Sequence, residues 1–267
     1  MLAKSAYFIG RCLRAAAKPL DRFGPYAFLD ARQGELGSVG PIDFDAVLNA
    51  YLAASDAFFF VQIGAHEGDA GDPLTNLVRR YRLRGIMVEP GAAAFATLQS
   101  NYADQPQLIF ERAAVAPADG TTTFFSADPE FWRRHNLHAG VESQISSLFP
   151  DQIRRHVELF GSAALAARES EYLRSTEVPA LTLATLLRKH AVARLDLLQI
   201  DTEGFDFEVL KMVDWSKPPR MIQYETVHLS IPDRQAAWAL LRTNGYALFA
   251  SNSYNTLAIH ASERAAP

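Results

Sequence analysis

Two short stretches of the chain hold side chains whose types and spacing suit chemistry. "QIDTEG" places Asp201 and Glu203 two positions apart behind an apolar run, and "QYETVH" places Glu225 three positions before His228. Residues two apart on a strand face the same way, so Asp201 and Glu203 share one side of its end if the strand persists that far. Histidine, with an ordinary pKa of about 6.5, offers a neutral imidazole at cell pH, and Glu225 or Asp201 can orient it. His228 is thus the candidate general base. The same four side chains can instead gather around Mg²⁺ or Mn²⁺. Spacing leaves both open, beside a loop histidine without chemistry and a helix cap made by Asp201 and Thr202.

A second constellation lies upstream in "FFFVQIGAHEGDAGDPL", Phe58 to Leu74. An apolar run here passes into a loop with Gly64, Ala65, His66, Gly68 and three carboxylates, Glu67, Asp69 and Asp72. Gly64 and Gly68 let backbone approach a ligand with no Cβ in the way. Asp72 followed by Pro73 predicts a helix cap and first turn, whose free N–H groups favour an anion. The spacing is neither G-x-G-x-x-G nor a P-loop. Carboxylates repel phosphate but meet an ammonium, so the loop suits an amino-acid-like zwitterion.

Two further stretches extend that reading. "GIMVEP" ends in Glu89, and an acid at the tip of a second strand can accept hydrogen bonds from both hydroxyls of a ribose. A helix N-terminal acid is the plainer alternative. "ERAAVAPADGTTTFF" then supplies Arg112, Ala113 and Ala114, where small side chains leave room for a flat base. Zwitterion, ribose and adenine in that order describe S-adenosylmethionine.

The elements that must position these residues follow from periodicity. Apolar runs at "AFFFVQI", "GIMVEP", "QLIFERA", "LDLLQI" and "RMIQYE" predict strands. Helical patterns at 43–54, 73–83, 92–101, 181–190, 205–212 and 234–244 alternate with them. The alternation predicts an α/β fold, a doubly wound, mostly parallel seven-stranded sheet with right-handed crossovers. "YALFAS" and "YNTLAIH", separated by "NS", predict a C-terminal antiparallel hairpin. Residues 1–55 read as an accessory helix and extended segment, and 56–267 as the main domain. Within it, 127–177 reads as an insertion forming a lid or substrate wall.

Composition narrows the function classes. The chain has 267 residues and a formal charge of −4, which argues against a nucleic-acid binder. Cys12 is the single cysteine, so a disulfide framework is excluded and a reducing, cytoplasmic setting is expected. The start, "MLAKSAYFIGRCLRAAAKPLDRFG", is basic and amphipathic. It predicts a helix packed on the domain or a sister subunit, or one resting peripherally on a membrane surface.

Taken together, "FVQIGAHEGDAGDPL", "GIMVEP", "ERAAVAPADGTTTF", "VPALTLATLLRKH" and "LDLLQIDTEGFDFEVL", with the late "NGY", resemble an FkbM-type methyltransferase. The resemblance implies a class I fold that uses S-adenosylmethionine and methylates hydroxyl oxygens of sugars, glycans or natural products. It carries Gln62, Gly64, His66 and Gly68 over to the cofactor loop and Glu89 to the ribose. Family members often have Asn where His66 stands. In the insertion, "HNLHAGVESQISSL" offers His135, His138, Ser143, Gln144 and Ser146 for sugar hydroxyls, with Phe131 and Trp132 to stack on an apolar sugar face. A nucleotide-dependent oxidoreductase and a non-catalytic cofactor-binding domain are the competing classes. The first would call for G-x-G-x-x-G after the first strand, which "GAHEGDAG" lacks.

Overall fold

The computed structural model describes residues 42–55, 57–69, 72–137, 145–252 and 254–261. The main sheet contains β1 (Phe59–Ile63), β2 (Arg84–Val88), β3 (Leu108–Glu111), β8 (Leu197–Ile200), β9 (Met221–Glu225), β10 (Tyr246–Ala250) and β11 (Asn255–His260). Its order is β10-β11-β9-β8-β1-β2-β3. β3, β2, β1, β8 and β9 are parallel, while β11 runs antiparallel to β9 and β10 antiparallel to β11. The chain builds outward from β1 to β3 and later resumes on the other flank with β8. Strand order therefore reverses between β1 and β8, and a ligand crevice is expected beyond their carboxyl ends.

Alternation along the strands feeds a core on each face. Phe60, Met87 and Leu197 point to one side, where Val47, Leu48 and Tyr51 of α1 (Phe44–Ala54), Leu77 and Val78 of α2 (Thr75–Tyr81), and Leu98 of α3 (Ala92–Asn101) cover them. Val61, Ile86, Leu198 and Ile222 point to the other, beneath α8 (Leu183–Lys189), α9 (Asp206–Lys211) and α10 (Ile231–Thr243). α1 belongs to the domain core. Tyr51 donates to the Asp196 carboxylate at 2.9 Å, and Phe59 N donates to its other oxygen at 2.9 Å.

The region between β3 and β8 forms a layer of its own. β4 (Ala114–Val115), β5 (Gly120–Ala127), β6 (Ser146–Ser147) and β7 (Leu173–Leu181) form a second sheet in the order β4-β7-β5-β6. β5 and β7 pair over eight residues each, from Gly120↔Ala180 to Ala127↔Leu173. The expected boundary at 127 therefore falls at the end of a strand whose partner lies 46 to 60 positions further on. α4 (Pro129–Arg134), α5 (Pro150–Phe160), α6 (Ala163–Ala166) and α7 (Glu169–Tyr172) pack at its end around a third core. Phe131 and Trp132 lie in that core, 2% and 0% exposed, so neither is free to stack on a sugar. Apolar burial has taken them instead.

The basic segment 1–24 and the residues His138, Ser143 and Gln144 lie outside the described residues. Among the described residues, no helix is long and apolar enough to cross a membrane.

Candidate active site at the strand reversal

A cavity of about 270 Å³ opens where β1, β2 and β8 end. Gln62, Gly64, Ala65, His66, Gly68 and Asp72 line it from the first loop, Glu89 from the second, Ala113 from the third and Asp201 and Glu203 from the fourth. Arg112 is exposed and stands outside the lining, because the chain turns after β3 and sends Ala113, Ala114 and Val115 inward instead. Phe124 of β5 and Ser146 of β6 close the opposite wall. Ser146 thus reaches the cavity, and the second sheet supplies an aromatic face that the apolar runs of the main sheet do not.

The two glycines of the first loop have reasons other than a ligand. Gly64 has φ +80°, and a Cβ there would lie 1.7 Å from the carbonyl oxygen of Asp201. Gly68 has φ +61°, and its Cβ would strike the Tyr102 ring at 2.4 Å. Both bring chain against chain, which only glycine permits. The helix expected to begin at Pro73 starts at Thr75, with Leu74 at its cap position and no side-chain cap. Asp72 works differently: it accepts from Leu74 N at 2.7 Å and from Gln62 Nε2 at 2.8 Å, bracing the loop against β1. With seven residues, α2 does not provide the anion-binding end expected of it.

Glu89 is 4% exposed. Its Oε2 accepts from His66 N at 3.0 Å and its Oε1 from Gly91 N at 2.7 Å. A carboxylate has about four lone-pair positions, so each oxygen keeps one after these bonds. Burial raises the Glu89 pKa above the usual range, while the Gly91 and His66 amides work against that rise. Gln62 Oε1 is buried without a hydrogen-bond partner nearby. The cavity thus holds a carboxyl fixed by two amides, with an unpartnered amide oxygen, Gln62 Oε1, among its lining residues.

Behind the Asp201–Glu203 wall lies a dense cluster. β8 ends at Ile200, and the loop then turns through Glu203 at φ +50° and Gly204 at φ +94°. His228 Nε2 stands 3.1 Å from Glu203 Oε2 and 3.5 Å from Glu225 Oε2. His228 and Glu225 themselves lie outside the cavity lining, one layer back. A fifth member, His156 of α5, comes within 3.5 Å of Glu203 Oε2. Spacing gives no hint of it, because His156 lies 45 or more positions from the other four in sequence. Its signal was the buried stripe Gln152, Ile153, His156 and Val157 along one helix face.

Burial dominates the electrostatics of this cluster. Asp201 is pushed up to about 7 by desolvation, with Asp206 and Asp72 adding repulsion. Asp206 rises to about 6 by burial, opposed by its bonds from Thr202 and Glu225 N. Glu203 and Glu225 rise well above the carboxylate range by burial, and neighbouring carboxyl groups push further. His228 falls to about 4 through burial, with His156 and Arg155 contributing, and His156 is also lowered by burial. The histidine–carboxyl contacts are therefore meetings of groups that burial drives toward neutrality, although their distances would suit ion pairs.

A family profile described as the methyltransferase FkbM domain matches residues 62–248, which include every lining residue of the cavity. No curated protein matches the chain. Among solved structures, the chain is similar to methyltransferase FkbM from Methylobacillus flagellatus KT, at 12% identity with a TM-score of 0.44. That alignment takes in 96% of this chain and 59% of the other, so this chain spans less than two thirds of that protein's length. On the extent of the profile match, the chain belongs to the FkbM methyltransferase family.

Proposed function

We propose that the chain is an S-adenosylmethionine-dependent O-methyltransferase that acts on a hydroxyl of a sugar, glycan or other natural product. The observation that carries this reading is Glu89: a buried carboxylate at the cavity floor, fixed by two backbone amides and left with an acceptor position on each oxygen. A vicinal diol such as ribose matches that arrangement. When bound, S-adenosylmethionine supplies an electrophilic methyl group on sulfur.

The remaining lining residues fit the other parts of the same molecule. Asp69 and Asp72 line the cavity on the first-loop side and suit an ammonium group. Ala113, Ala114 and Val115 leave a thin slot, and Phe124 offers it a flat apolar wall, which suits an adenine ring. Asp201 and Glu203 occupy the remaining wall, so they are the groups within reach of an acceptor hydroxyl, and His228 supports Glu203 from behind. Holding donor and acceptor together contributes roughly 7–11 kcal/mol of the barrier reduction through effective concentration. Asp201, pushed up to about 7, is partly ionised at neutral pH, and proton acceptance by such a positioned carboxylate adds about 10²–10⁴ in rate.

Calorimetry with S-adenosylhomocysteine tests the reading. The wild type should bind it, and Glu89→Ala should lose about 1.5–3 kcal/mol, the scale of hydrogen bonds to a charged group. Equal affinity in the two proteins would remove Glu89 from cofactor binding.

A further inference from the structure

Glu203 and His228 meet a third side chain, His156, to which the methyl-transfer reading gives no role. His156 Nε2, Glu203 Oε2 and His228 Nε2 lie within 4.8 Å of one another, with Glu203 3.5 Å and 3.1 Å from the two rings. Donors bound to one first-row ion at about 2.0–2.2 Å stand roughly 3.0–3.5 Å apart in tetrahedral or octahedral geometry. The two Glu203 contacts already match that separation. We propose that His156, Glu203 and His228 form a binding site for a first-row transition-metal ion, with Glu225 as an adjoining fourth donor.

The orientation of His156 is the second support. Its Nδ1 lies 2.8 Å from the carbonyl oxygen of Gln152. A carbonyl only accepts, so Nδ1 carries the hydrogen and Nε2 presents its lone pair to the cluster. Metal-binding histidines are typically held in this way, with the outer N–H on a backbone carbonyl. The ring is 7% exposed, and packing against His228 at 4.8 Å and Phe160 at 6.2 Å limits its rotation. Gln152 also donates from Nε2 to the backbone oxygen of His228 at 3.2 Å, tying the two histidine-bearing segments together.

Glu203 Oε2 and Glu225 Oε2 are both buried, and their approaches to His228 Nε2 at 3.1 and 3.5 Å lack hydrogen-bond geometry. A cation placed among them would take up the His156 Nε2 lone pair and both carboxyl oxygens at once. Two imidazole nitrogens with one or two carboxylates favour Zn²⁺, Mn²⁺ or Fe²⁺ over Mg²⁺, which prefers an all-oxygen shell. The site therefore differs from the Mg²⁺ or Mn²⁺ centre expected of Asp201, Glu203, Glu225 and His228 by taking in His156 and leaving out Asp201, which turns the donor set from oxygen-rich to nitrogen-rich. Through Glu203, which lines the cavity, a bound ion would adjoin the acceptor space.

The test uses the full chain stripped of metal and free of any methyl donor, so its outcome is separate from that of the methyl-transfer reading. Titration with Zn²⁺, Mn²⁺ and Mg²⁺ should show about one equivalent of Zn²⁺ or Mn²⁺ binding at least tenfold more tightly than Mg²⁺. His156→Ala and His228→Ala should each weaken that binding at least tenfold, and saturating Zn²⁺ should raise the melting temperature of the wild type but of neither variant. Cobalt(II) added to the wild type should develop visible bands of nitrogen-and-oxygen coordination, a readout that does not depend on a variant folding. Absence of saturable binding and of cobalt bands in the wild type, preference for Mg²⁺, or folded histidine variants that bind like the wild type would overturn the site.

Discussion

At the scale of single residues, the site depends on contacts that sequence spacing reveals unevenly. Gly64 was legible as a special position, but its reason was not, because the neighbour it must admit is the Asp201 carbonyl from 137 positions away. Gly64→Ala should therefore cost about 3 kcal/mol or more, combining left-handed backbone with a backbone clash, and urea denaturation would measure it. An undiminished midpoint would show that β1 and β8 are further apart than described. Histidine's ordinary pKa and a place three positions after Glu225 make His228 the base candidate in the sequence, yet it stands behind Glu203 rather than on the cavity wall. His228→Ala should leave S-adenosylhomocysteine affinity near the wild-type value and lower methyl transfer at least tenfold. Wild-type turnover by that variant would exclude it from supporting the reaction. Arg112 misleads for a simple reason: the residue that ends a strand gives no sign of which way the next one turns.

Elements show the same contrast. The seven strands of the main sheet are legible because each carries an apolar run, continuous and buried on both faces in central strands such as β1 and β8 and half-buried at the β3 edge. The second sheet is not. β5 is "GTTTFFSA", rich in Thr and mostly half-buried; β7 is "LRSTEVPAL", largely exposed, and contains Pro179, which ordinarily argues against a strand. Pro179 pairs with Thr121, and long-range pairing of this kind has no local signature. His156 was missed for a related reason, since its helix belongs to that unread layer.

Asp196 is the polar pin of the main sheet. It is 2% exposed and joins Tyr51 of α1, Phe59 N at the start of β1, Arg194 and Arg220. Asp196→Ala would remove the acceptor of the buried Tyr51 hydroxyl and of the Phe59 amide. A loss of about 2–3 kcal/mol is expected, moderated by the partial exposure of Arg194 and Arg220. Thermal or urea unfolding measures it, and a change below about 0.5 kcal/mol would show that α1 and β1 do not depend on this contact.

For the whole molecule, two apolar layers hold the sheet while the strand-order reversal leaves a crevice at one end, and the second sheet closes that crevice from above. Ser147 joins the parts: its hydroxyl donates to the Glu203 carbonyl at 2.9 Å, fixing the second sheet on the loop that carries Asp201 and Glu203. The crevice between the layers is thus built from both sheets, and the account's central claim is that a sulfonium nucleoside occupies it. A crystal structure of the chain with S-adenosylhomocysteine tests this most directly. The account predicts density with both ribose hydroxyls on Glu89, the base between Ala113 and Phe124, and the amino-acid end toward Asp69 and Asp72. A nucleoside bound elsewhere, or a ribose that leaves Glu89 untouched, would contradict it.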